Sequence, residues 1–189
     1  MIIHVTNKLA EKLKKAGFDV PAKSDNKPSL LGDWHANITT IQRRQCIVFT
    51  HDQTRFTMAL TGVTLKEFKN LNWWFNDLLA NTMLKMDYPE ALITKALDAM
   101  GDLHFDTDCS RSVQGTLRLM IDGLESYTWD GTDIMDLGIY SLSRRLCDRP
   151  CNVKGRKECL WPAREMKALL ELRSGTNEEI NERNLSIVR

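Results

Sequence analysis

Three groups of residues in this chain have side chains and spacings suited to chemistry. The first is Trp34-His35-Ala36-Asn37. His35 beside an aromatic residue, with Asn37 two positions on and so on the same strand face, can orient a substrate or relay a proton near neutral pH. The same pair can equally hold a loop to a strand through backbone hydrogen bonds. The second is Asp106-Thr107-Asp108-Cys109-Ser110-Arg111-Ser112-Val113-Gln114-Gly115, which reads as the start of a helix. Free amides and a positive dipole end there, joined by Arg111 and Ser112, suit a phosphate or carboxylate. Asp106 and Asp108 suit instead an ion pair with Arg111, or a helix cap. The third is Cys147-x3-Cys151-x7-Cys159. A tetrahedral zinc site needs a fourth ligand and no nearby Cys or His supplies it, so neither metal nor cofactor is expected and the thiols read as free. The arginines around them favour a reactive thiolate.

Those cysteines lie in a basic stretch where Arg144, Arg145, Arg149, Lys154, Arg156 and Lys157 face only Asp148. Clustered cations of this kind are candidates for nucleic-acid phosphates. They are also consistent with a solvated loop, or with pairing to the acidic residues Glu178, Glu179 and Glu182 near the C-terminus. Trp73 stands apart from the apolar stripe of its own helix, which marks it either as covered by another segment or as a partner contact. The common nucleotide and catalytic fingerprints are absent: no phosphate loop, no Gly-x-Gly-x-x-Gly, no His-Glu-x-x-His and no Gly-x-Ser-x-Gly.

The elements that must position these residues follow from hydrophobic periodicity. Ile2 to Val5 reads as a strand, and Lys8 to Ala16 as a helix closed by Gly17. Pro21 to Pro28 is a loop. From Gly32 to Leu60 the alternation of Ala36 with Ile38, the run Ile47 to Phe49, and the set Phe56, Met58 and Leu60 predict consecutive antiparallel strands, with turns at 42–45 and 51–53. Thr64 and Glu67 have capping-box spacing, and Leu65, Phe68, Leu71, Phe75, Leu78, Leu79, Thr82 and Met86 make one long helical stripe. A second helix is expected from a cap at Asp87 to Gly101, a short strand at 103–105, a third helix from within 110–113, a fourth from Asp133 to Pro150, and a last one from Pro162 to Gly175. The expected architecture is α+β: a small antiparallel sheet from the N-terminal third, packed against a mostly helical C-terminal part. Residues 1–172 form a single domain and 173–189 a charged tail.

Composition sets the outer limits. Of 189 residues, 42% are hydrophobic and 27% charged, which excludes wholesale disorder, and a chain of this size buries roughly 70% of its unfolded surface. With 26 Lys and Arg against 25 Asp and Glu, any attraction to nucleic acid or anionic membrane must come from a local patch. No apolar run approaches the ~20 residues needed to span a bilayer and no secretory leader opens the chain, so no membrane association and a cytoplasmic location are expected. Five scattered cysteines do not form a secreted disulfide framework.

Four motifs in order, Ile-Ile-His-Val-Thr-Asn-Lys-Leu from Ile2, Gly-Asp-Trp-His-Ala-Asn from Gly32, Val-Phe-Thr-His-Asp-Gln-Thr-Arg-Phe from Val48 and Ser-Arg-Ser-Val-Gln-Gly from Ser110, resemble a prokaryotic domain family of unknown function over residues 1–150. The resemblance implies a small bacterial or mobile-element-borne α+β protein, supplies no activity, and marks Trp34, His35, Asn37, Arg111, Ser112 and Gly115 as positions of interest. Two functions from different classes remain. One is an accessory protein that binds a protein or nucleic-acid partner without catalysis, through Trp73 and Arg144, Arg145, Arg149, Lys154 and Arg156. The other is a small enzyme or ligand sensor acting on an anionic substrate through His35, Asn37, Arg111 and Ser112, which requires the start of the sheet and the start of the third helix to meet in space.

Overall fold

The computed structural model describes residues 1–27, 29–153 and 155–173. Its elements are β1 (Ile2–Val5), α1 (Asn7–Lys15), β2 (Trp34–Ile41), β3 (Arg44–His51), β4 (Thr57–Leu60), α2 (Leu65–Lys69), α3 (Leu71–Lys85), α4 (Glu90–Asp98), β5 (His104–Asp106), α5 (Arg111–Ser126) and α6 (Ile139–Cys147), followed by α7 over 162–173. The architecture is α+β, but the sheet is mixed rather than antiparallel, in the order β4-β3-β2-β1-β5. β2, β3 and β4 pair antiparallel as expected. β1 runs parallel to both β2 and β5. The reason is the crossover: α1 carries the chain back to the end of the sheet where β1 began, so β2 must start beside it in the same direction. β5 adds a strand from well outside the N-terminal third.

Strand alternation divides the sheet into two unlike faces. Ile3, Val5, Trp34, Ala36, Ile38, Ile47, Phe49 and Met58 join the main core with α1 (Leu9, Leu13), α3 (Phe75, Leu78, Leu79) and α4 (Ile93, Ala96). Trp34 sits at its centre, edge-on to Phe75 and His51. The opposite face packs Ile41, Cys46, Val48 and Ala59 against Leu117, Met120 and Leu124 of α5 and Leu142 and Leu146 of α6. Toward the other end of that face the residues are polar.

Several local signals act as read. Thr64 and Glu67 form a capping box and Gly17 takes φ +98 after α1, while the N-cap of α5 is Ser110 rather than Asp106 or Asp108. Others are overridden. The stripe from Leu65 to Met86 is broken at Asn70, whose φ −109, ψ 25 separates α2 from α3. Asp87 takes φ 55 and Pro89, not Asp87, is the N-cap of α4. The fourth helix begins at Ile139 rather than Asp133, because the Asp133 carboxylate accepts the Met135 amide and turns the chain there. Residues 174–189, which include Gly175 and the acidic tail, and Pro28 lie outside the described residues.

β4 is an edge strand, and its outward backbone would be left unpaired. α6 closes it with two side chains one turn apart. The Ser143 hydroxyl accepts the Ala59 amide at 3.0 Å, and the Cys147 sulfur accepts the Thr57 amide at 3.2 Å while its S–H donates to the Thr57 carbonyl at 3.1 Å. Burial pushes the Cys147 thiol far above its ordinary pKa. It is therefore a structural group, and the basic stretch does not activate it. Ser143→Ala should destabilise the fold by about 1–3 kcal/mol in urea denaturation, the cost of an unsatisfied buried amide. In the native protein a thiol reagent should label exposed Cys159 quickly and Cys147 only on unfolding.

His51 fastens the loop before β2. Its Nδ1 faces the Thr54 hydroxyl and accepts the Thr54 amide, so Nε2–H donates to the Leu31 carbonyl at 3.0 Å. Gly32, at φ +106, leaves room for that ring, since a Cβ there would stand 3.1 Å from Nε2. Burial lowers the His51 pKa from 6.5 to about 4. The folded state holds the neutral ring, so the stabilisation is complete above pH 6.5 and is lost as pH falls toward 4. Over that window denaturation midpoints should fall by an amount equivalent to about 3 kcal/mol. A His51→Gln variant should be less stable at neutral pH and show a flatter profile there.

Candidate functional site

On the polar end of the sheet's second face, register aligns one residue from each strand. Asp106, His4 and His35 are neighbours across β5, β1 and β2, and the row continues through Thr50 and Thr57. The His4 and His35 rings lie 4.8 Å apart, tilted by 51° to each other. His4 Nδ1 lies 2.6 Å from Asp106 Oδ1. Asp106 also accepts the amides of Ser24 and Asp108, so it fastens the loop after α1 and the approach to α5.

His35 is 1% exposed and both its nitrogens are engaged. Nε2 lies 2.6 Å from the Ser110 amide, and an amide can only donate, so Nε2 carries no proton. Nδ1–H then donates to Asp52 Oδ1 at 2.7 Å. His35 thus ties the start of α5 to β2 and to the β3–β4 loop. Arg55 adds a second tie from that loop. Its guanidinium donates to the Asp52 carbonyl and, at 3.1 Å, to the Ser112 hydroxyl. Arg55 is 5% exposed and its Nε has no partner among the described residues. Its backbone takes φ 58, a conformation costly for a residue with a Cβ.

With α5 pinned in this way, a groove of about 670 Å³ opens between its first three turns, β2 and the start of α1. Lys8, Arg111 and Arg118 line it together with Asn37 and Gln114, and no carboxylate does. Asn37 Oδ1 accepts the Thr6 hydroxyl and the Ile38 amide, which leaves its NH2 as a donor on the groove wall. Gly115 also lines the groove, and a Cβ there would meet nothing within 4 Å. Asp106 and Asp108 do not neutralise Arg111. The first pairs with His4 and the second with Lys23 at 3.6 Å.

The four residues expected to converge are therefore neighbours, in two layers: His35 and Ser112 hold the helix start, and Asn37 and Arg111 face the groove. Sequence reasoning missed His4, Lys8, Asp52, Arg55 and Arg118 as members of this region. His4, Asp52 and Arg55 lie inside the motifs quoted above, so a signal existed. The same holds for Lys8, in the first motif; for Arg118 there was none.

The basic stretch is differently built. Arg144 pairs with Asp148 at 3.7 Å and Arg156 with Glu165 at 3.2 Å. Arg145 lies over the Tyr127 ring at 5.4 Å. Arg149 lies against Gly123, where a Cβ would stand 1.9 Å from its guanidinium. Lys154 lies outside the described residues. Trp73 is 59% exposed on α3, edge-on to Trp74. Among the described residues no group of three His, Cys, Asp or Glu is placed to hold a metal ion, and no helix is long and apolar enough to cross a membrane. Burial raises the pKa of Cys46, Cys109 and Cys151 above the ordinary thiol value.

The chain belongs to the family described as Domain of unknown function (DUF6933), whose profile matches residues 2–165. That span contains all five strands and the whole of the groove. No curated protein matches the chain.

His35→Ala should release the first turn of α5. We expect a loss of about 2–4 kcal/mol of stability, from two broken hydrogen bonds and a cavity. Hydrogen exchange should then be faster at the Ser110, Arg111 and Ser112 amides than in the rest of α5.

Proposed function

We propose that the protein is a binding module for an anionic partner, acting without catalysis, and that the groove beside α5 is its contact surface. A bacterial accessory protein of the cytoplasm is part of the same reading. One observation carries it: Lys8, Arg111 and Arg118 converge on one concavity whose lining has no carboxylate, and among the described residues none of the three has an ion-pair partner. Like charges held together without a counter-charge repel, and an anion relieves that repulsion. Arg111 and Arg118 are two helical turns apart, ~10 Å along the axis. They can therefore meet two successive anionic groups.

The chemistry nearby argues for binding. His35 has no free nitrogen, the Ser112 hydroxyl accepts from Arg55 with no base beside it, and the half-buried Cys109 thiol is held protonated. One observation favours the enzyme reading: among the described residues, Nε2 of His4 has no partner, while its Nδ1 is oriented by Asp106. His4 does not line the groove, which leaves binding as the better reading.

A heparin column tests the proposal. The protein should be retained at low salt, and Arg111→Glu combined with Arg118→Glu should elute markedly earlier with an unchanged circular dichroism spectrum. Unaltered retention of that double variant would sink the reading.

A further inference from the structure

A second cation-lined groove also borders α1. This groove, of about 540 Å³, is lined by Lys12 and Lys15 from α1 and by Arg43 and Arg44 from the β2–β3 turn, again with no carboxylate. Both grooves touch α1: Lys8 lines the first, Lys12 and Lys15 the second. Lys8, Lys12 and Lys15 follow i, i+4, i+7 spacing and so form one stripe along the helix. Among the described residues none of these seven cations has an ion-pair partner. Glu11, the one carboxylate on α1, lies beside that stripe, at i+3 from Lys8 and i−4 from Lys15, against the four lysines of the helix. In a protein whose formal charge is +1, this is a pronounced local separation of charge.

Two cation-lined grooves thus border one lysine stripe of α1. Resting on the reading of the α5 groove as an anion site, we propose that this surface docks double-stranded DNA, with α1 toward the major groove and the flanking arginines on the two phosphate strands. An α-helix with its side chains is ~10–12 Å across and the B-DNA major groove is ~12 Å wide. Arg111 and Arg118 in the first groove and Arg43 and Arg44 in the second supply the cations for the bordering phosphates. The Arg43 position is well defined, because Gln42 and Arg43 both take positive φ in a two-residue hairpin turn, a stiff connection. Single strands fit less well. They are held by exposed aromatic rings, and the one aromatic residue in either lining, Phe68, is buried. Duplex RNA fits less well too, since its major groove is deep and narrow and excludes a helix. The basic stretch at Arg144 offers no equivalent surface, because the groove it borders contains Asp87 and Asp148.

The experiment is fluorescence anisotropy of the full chain with a labelled random-sequence DNA duplex of about 20 base pairs at about 50 mM salt, repeated with duplex RNA and with single-stranded DNA. Duplex DNA should bind best, and the logarithm of its affinity should fall against the logarithm of salt with a slope of about −4 to −6, as for five to seven phosphate contacts. Arg43→Glu with Arg44→Glu should weaken binding at least ~10-fold and flatten that slope, and the neutral pair Lys12→Ala with Lys15→Ala should do so to a smaller degree. Arg144→Glu should change neither. Three results would overturn the proposal: no duplex binding at this salt; equal competition by polyglutamate, which would point to an acidic protein; or full DNA affinity in the Arg43 and Arg44 variant. If that variant keeps its affinity while the Arg111 and Arg118 variant loses heparin retention, the anion groove stands and only its extension across α1 fails.

Discussion

One buried imidazole sets the geometry on which the rest of this molecule depends. His35 receives the Ser110 amide and donates to Asp52, and so joins β2, the β3–β4 loop and the first turn of α5 at a point 1% exposed to solvent. A buried ring with one unmatched nitrogen would cost more than the fold gains from it, so the three segments are coupled: each is fixed only if the others are. Arg55 repeats the connection from the loop to Ser112. The groove lined by Lys8, Arg111 and Arg118 is a consequence. It exists because α5 is held at its first residue and then runs over the sheet toward the second core at Leu117 and Met120.

The same logic of satisfied polar groups explains the other end of the sheet. Ser143 and Cys147 of α6 take up the outward amides of β4 and thereby close an edge that would otherwise recruit another strand. A cysteine does this well because a small, weakly polar thiol packs with the core while still making two backbone contacts. Position in a basic stretch is therefore no guide to reactivity. Burial outweighs the nearby arginines, whose charges are spent on Asp148, Glu165, the Tyr127 ring and the space above Gly123.

The α+β class was legible before any coordinates, and so were most strands, the capping box at Thr64 and Glu67 and the stop at Gly17, since each rests on alternation or on a few adjacent residues. Misreadings fell where a local pattern was continuous but the chain was not. The break at Asn70 was hidden because the apolar stripe runs straight through it, although Asn is a residue type favoured at helix caps and here caps α3. Asp133 looked like a helix start and makes a turn instead.

What the sequence determined by itself is short in range: which residues alternate, which cap, and which motif residues deserve attention. Strand direction, the row from Asp106 through His4 to His35, and the meeting of Lys8 with Arg118 were decided only by the tertiary structure. These are contacts between residues about 30 to 110 positions apart, produced by the crossover through α1 and the docking of β5 beside β1. A charge acts through space, so its partners cannot be read from its neighbours in the chain.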